Sequence, residues 1–231
     1  MNYLKNLFFI LPLIIASCGV NKKDNAQPLQ SEINLELTQE LQNVLLKDQG
    51  IRALVDNNLT ADKKAQLLSD MKISDKEVEG NKKYKLLREI DSINLVTVEK
   101  IIQKYGYPSK YIIGETANQA IFYVIQHSKK TDEYLPLIRK AAQKGVLTTV
   151  SLALMEDRNL MYKGLEQIYG TQIKGQANKK GEWIYFLWPI KNPDSINARR
   201  KKAGFKQTIE EYAKEMDVDF KLYTLHDIQD L

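Results

Sequence analysis

Apolar residues recur every three or four positions through most of the chain, and several of the helix faces they trace carry polar residues inside the stripe. Leu37, Leu41, Leu45, Asp48 and Arg52 share one face, with Gln49 beside it. Leu87, Asp91, Asn94, Val98, Ile101 and Tyr105 share a second. Ala120, Val124 and His127, with Gln126 adjacent, define a third, and Val150, Leu154, Asp157, Met161 and Leu165 a fourth. A carboxylate or guanidinium in a core-facing stripe is costly unless it is paired and hydrogen-bonded. Anomalies on separate helices therefore imply that the helices pack so that their polar residues meet, with the acids set against Arg52, Arg158 or Arg200.

Punctuation divides these faces into elements. Asn57-Asn58 breaks the first helix, Thr60-Ala61-Asp62 can start a second short one, and Gly80-Asn81 ends that region. Helix is expected over residues 82–105, stopped by Gly106-Tyr107-Pro108, because proline disfavours helix in the residue before it. Gly114 or Glu115 opens the next helix. Residues 131–144 form another that ends at Gly145, and a further one runs from Thr149 to about Glu166. Ile184 to Trp188 is aromatic and β-prone, and pairs with Gln167 to Lys174 across a loop rich in Gly and Lys. Pro193 suits a first helical turn, Gly204 a helix end, and Thr208 with Glu211 a capping box. No internal repeat and no interdomain linker interrupts this pattern. The expected fold is mainly α, a single-domain bundle of about six to eight helices with one small β-hairpin near the C-terminal third.

The first residues read as an address rather than as fold. A positive start through Lys5, an apolar run from Leu7 to Ile15 and the small-residue end Ala16-Ser17-Cys18 make residues 1–17 a signal peptide. Cys18 is the single cysteine, so no intramolecular disulfide can form. Ile15-Ala16-Ser17-Cys18 resembles the lipobox of bacterial lipoproteins, which implies a lipidated Cys18 and a membrane partner through its acyl chains. Gly19 is not the aspartate that retains many lipoproteins at the inner membrane, so an outer membrane is favoured where the cell has one. Residues 18–32 form a flexible tether and residues 33–231 the globular domain. The net charge of +5 is scattered over lysine doublets, and Arg199-Arg200-Lys201-Lys202 is the one true run. Such charge on an exported chain is solvated surface, and no nucleic acid is expected as a partner.

The most polar turn is Gln167-Ile168-Tyr169-Gly170-Thr171-Gln172, preceded by Glu156-Asp157-Arg158. These segments together with Asp48-Gln49-x-x-Arg52, Asp91-x-x-Asn94, Tyr105-Gly106-x-Pro108, Gln126-His127 and Arg199-Arg200 resemble an uncharacterised bacterial family, one of the domains of unknown function, from about Leu37 to Tyr212. The family usually has Trp where Tyr107 stands. The resemblance groups these residues but implies no activity.

Two functions follow from the residues themselves. In the first, Asp48, Gln49, Arg52, Asp91, Asn94, Arg158, Gln167, Tyr169, Thr171, Gln172 and Arg200 surround a polar pocket that binds a small molecule, glycan or peptide without catalysis. In the second, an envelope hydrolase or transferase uses His127 as general acid or base with an aspartate such as Asp157 orienting it. The histidine and cysteine spacings of zinc sites are missing, and arginines near the aspartates argue against a hard cation. Neither a metal nor a cofactor is expected. The absence of an evident nucleophile tilts the choice toward binding.

Overall fold

The computed structural model describes residues 33–56 and 58–231, so the expected signal peptide, Cys18, the expected tether and Asn57 of the Asn57-Asn58 break lie outside the described residues. Six long helices come first: α1 (Leu35–Asp56), α2 (Ala61–Met71), α3 (Lys82–Tyr105), α4 (Lys110–His127), α5 (Thr131–Gln143) and α6 (Thr149–Tyr162). An antiparallel hairpin follows, β1 (Ile173–Ala177) with β2 (Trp183–Leu187), in the register Ile173 to Leu187 and Ala177 to Trp183. Then come α7 (Ile196–Ala203), α8 (Ile209–Glu215) and the one-turn α9 (Asp227–Asp230). The described chain is thus a mainly α bundle with one small hairpin in its C-terminal third.

Three apolar clusters hold it together. The largest joins Leu41 and Val44 of α1, Val98 of α3, the Ile121 and Ile125 face of α4, Ile138 of α5 and Met155 of α6. A second packs Ile51 and Leu54 of α1 against Leu68 and Met71 of α2 and Ile90 of α3. A third sits under the hairpin, where Leu187 and Ile190 meet Ile196, Ile209 and Tyr212. Burying side chains of this size stabilises each by about 1.5–3 kcal/mol.

Local signals explain most boundaries. The Thr60 hydroxyl accepts from the Lys63 N–H at the start of α2, and Thr208 with Glu211 closes a reciprocal capping box on α8. Gly114, at φ 78 and ψ 162, breaks the helical conformation inside α4, so a single turn precedes the long helix that resumes at Glu115.

Two expectations shift. The periodicity carries α6 to about Glu166, but it ends at Tyr162, because Gly164 at φ 69 turns the chain despite the periodic Leu165. The strand pairing begins at Ile173 rather than Gln167, and residues 167–172 form a compact turn with one isolated bridge from Gln167 to Ile190.

Candidate functional site

The polar residues of the helix stripes gather into two networks. In the first, Arg52 lies between two aspartates: its Nη1 donates to Asp48 Oδ1 at 3.1 Å and its Nη2 to Asp91 Oδ1 at 2.7 Å. Asp48 also accepts from Gln49 Nε2 at 2.7 Å and faces His127 Nδ1 at 3.1 Å. Burial pushes the Asp48 carboxyl up, but contact with His127, the Arg52 charge and the Gln49 amide outweigh it and hold it below its ordinary value. Burial drops His127 to about 4, against the pull of Asp48, and the charges of Arg52 and Arg158 add to the depression. At neutral pH the ring is therefore neutral, with Nδ1–H donating to an ionised Asp48. Asp91 moves the other way: burial raises it, with Arg52 opposing. Asn94 stands apart, donating to the Val44 carbonyl at 3.3 Å.

The second network is built around Asp157. Its carboxylate accepts the backbone N–H groups of Ile168, Tyr169 and Thr171 at 2.7, 3.1 and 3.0 Å, and the Thr171 hydroxyl at 2.9 Å. Burial raises its pKa, and these donors pull against the rise. Gln167 completes the turn as a substitute strand partner: Nε2 donates to the carbonyls of Gln172 and Trp188, and Oε1 accepts the Gln172 N–H at 2.8 Å. Gln172 Oε1 accepts Arg158 Nε at 2.8 Å, and its Nε2 donates to Thr171 and to the Leu154 carbonyl. Gly170, at φ 70, lies so close to Ile209 that an added Cβ would come within 2.5 Å of its Cδ1.

Three expectations are corrected by this geometry. Asp157 meets backbone N–H groups rather than an arginine, because Arg158, its neighbour in sequence, points off another side of the helix. The carboxylate on His127 is that of Asp48, not Asp157. Arg200 is buried and occupied, with Nη1 on the Tyr169 carbonyl, Nε on the Gln207 carbonyl, and its guanidinium over Phe205 and Tyr212. Arg199 likewise spends its donors on the carbonyls of Ile168, Lys191 and Asn192. Neither arginine has the open fork that a ligand carboxylate or phosphate would need.

A cavity of about 250 Å³ opens between these networks, with one face of α4 on one side and the start of α6 on the other. Phe122, Tyr123 and Gln126 line it from α4, and Leu147, Val150, Ser151 and Leu154 from the α5–α6 connection and α6. Both networks hold its walls: Tyr123 stacks on His127 at 6.2 Å, and the Leu154 carbonyl accepts from Gln172. Gln126 is only 3% exposed, and its amide, which still reaches solvent at the cavity, makes no hydrogen bond to another described residue. Neither Gln126 nor Tyr123 is among the residues assigned to the pocket from sequence. Gln126 had a signal in its place beside His127, whereas Tyr123 reads as an ordinary helix aromatic.

Comparison with known proteins adds a family and nothing further. No curated protein and no solved structure matches the chain. A model of a family of unknown function, DUF6624, matches residues 35–224, which takes in both networks and the cavity. The chain belongs to the DUF6624 family, whose function is unknown.

Proposed function

We propose that this chain is a lipid-anchored binding domain of the bacterial cell envelope, and that it takes a small polar ligand in the cavity between α4 and α6. The observation that supports this reading is the amide of Gln126, buried at the cavity and without a partner. A carboxamide can make up to four hydrogen bonds, and this one, facing the cavity with none made to the protein, has them free for water or for a ligand that displaces it. The residues assigned to the pocket from sequence then act largely as scaffold. Asp48 and His127 set Tyr123, and Gln172 ties the Leu154 turn of α6 to the polar turn.

Replacing Gln126 with leucine tests the reading without a ligand in hand. Binding groups are often held at a cost in stability, so Gln126→Leu should melt at or above the temperature of the parent. A melting temperature lowered by several degrees would mean that the amide holds the fold together, and the binding reading would be abandoned.

The hydrogen bond between His127 and Asp48 is the one observation that favours a hydrolase or transferase, since an aspartate orienting a histidine is a common acid–base arrangement. A histidine held near 4 is a weak base at neutral pH, and the two aliphatic hydroxyls at the cavity, Thr148 and Ser151, are bound to one another at the start of α6. Binding is the better supported of the two.

Anchoring rests on the sequence of the first 18 residues. Cys18→Ala should leave the domain folded but release it from the membrane fraction and abolish metabolic palmitate labelling, since acyl chains supply about 0.8 kcal/mol per buried methylene. Unchanged labelling and pelleting of the variant would remove lipidation and the envelope location with it.

A further inference from the structure

The α6 end of the cavity narrows what it can hold. Thr148, Val150 and Ser151 line it at the N-terminus of α6, a helix of 14 residues. The Thr148 hydroxyl takes the Ser151 N–H, which leaves the N–H groups of Thr149 and Val150 outside the helix's own ladder. A helix N-terminus of this kind favours an anion. The charged side chains that line the cavity, Lys110 and Glu115, pair with each other at 3.0 Å, so the preference in sign comes from the helix. On the α4 wall of the cavity stands the second observation, the Gln126 side chain, 3% exposed and without a hydrogen-bond partner among the described residues, whose amide both donates and accepts. Its natural complement is another amide. Phe122, Leu147 and Leu154 add an apolar lining to the same cavity.

We propose that the cavity binds an acylated α-amino acid with an apolar side chain. Its carboxylate sits at the N-terminus of α6, its amide pairs with Gln126, and its side chain lies against Phe122, Leu147 and Leu154. The C-terminal residue of a peptide presents the same three groups. The inference rests on the binding function proposed above and adds the chemistry of the ligand. A dry fatty acid tail fits less well, because it leaves Gln126 unpaired. A phosphate or sugar leaves the apolar wall uncovered.

The test uses the full chain in detergent, titrated calorimetrically with N-acetyl-leucine, its neutral amide N-acetyl-leucinamide, and a leucine-terminated pentapeptide. N-acetyl-leucine should bind at least tenfold more tightly than the neutral amide, and Gln126→Leu should weaken it about tenfold. Comparing the pentapeptide with N-acetyl-leucine separates the two sources: a tighter pentapeptide points to a protein tail, and equal affinity to a free acylated amino acid. If acid and amide bind equally but both need Gln126, the carboxylate assignment is overturned while the cavity remains a binding site. If none of the three binds, the ligand class is wrong, and the melt of Gln126→Leu then decides whether the binding function fails with it.

Discussion

Asp157→Ala is expected to cost roughly 4 kcal/mol or more, because one carboxylate satisfies three backbone N–H groups and a hydroxyl in a turn that has no ladder of its own. Alanine leaves all four donors without an acceptor, and each buried one costs about 1–3 kcal/mol. The damage should spread along identifiable bonds. The Tyr169 carbonyl holds Arg200, and the Thr171 carbonyl accepts the Tyr212 hydroxyl at 3.0 Å, so the turn couples α6 to α7 and α8. Asp157→Asn should be milder but still harmful, since it keeps one acceptor oxygen and points an NH2 group at donors. Urea unfolding gives the magnitude, and hydrogen exchange gives the place: the amides of Ile168, Tyr169 and Thr171 should lose protection first. A midpoint within about 0.5 kcal/mol of the parent would mean that Gln167 and Arg200 hold the turn by themselves.

The same turn shows where sequence reading stops. Asp157 is recognisable as an oddity because it replaces an apolar residue on the α6 stripe, and the polar run after it is recognisable as a turn through Gly170. Its partner is not, because the groups it binds are backbone N–H groups that every residue carries. Asp48, Arg52, Asp91 and His127 are a different case. Each stands out in its own stripe, charge alone says that they should pair, and they do meet around Arg52. Periodicity gives a face and not a contact, so which aspartate reaches His127 needed the packing of α1 against α4. Helix limits were clear where a cap or a positive φ coincides with the end of the apolar pattern, as at Gly106 after α3 and Gly204 after α7. They were obscured at α6, where Leu165 keeps the period beyond the true end. Tyr123 was the hardest to see, and Gln126 carried only the signal of its place beside His127. A polar residue on the flank of a helix reads as solvent-facing, whereas Gln126 is buried and shares its cavity with Val146 and Leu147, which come from elsewhere in the chain.

Asp48→Ala is the second large effect, expected at about 3–5 kcal/mol, the cost of breaking a buried ion pair and stranding its partner. Three donors lose the carboxylate at once: Arg52 Nη1, His127 Nδ1 and Gln49 Nε2. Arg52 keeps Asp91 and the carbonyl of residue 48, which places the loss toward the lower end of that range. Asp91→Ala should cost less, because its side chain is 30% exposed and water can replace it beside Arg52. A pH series isolates His127 only as the difference between the parent and His127→Gln, because Asp91 and Asp157, both raised, contribute in the opposite sense as the pH falls. The folded value of about 4 for His127 lies below the ordinary 6.5, so above pH 6.5 the ring is neutral in both states and contributes no pH dependence. Between pH 6.5 and 4 the unfolded chain takes up a proton that the folded protein refuses, and this alone should lower stability by roughly 3 kcal/mol. His127→Gln should flatten the curve over that window. Asp48→Ala should not flatten it, since losing the carboxylate that raises the histidine leaves burial and Arg52 to depress it further. The stabilising share of Asp48 itself, whose value is lowered, disappears only as pH falls below the ordinary 3.8, outside the window. A urea midpoint for Asp48→Ala equal to that of the parent would place Arg52 and His127 in contact with water, and the ion network could not be what sets Tyr123 against the cavity.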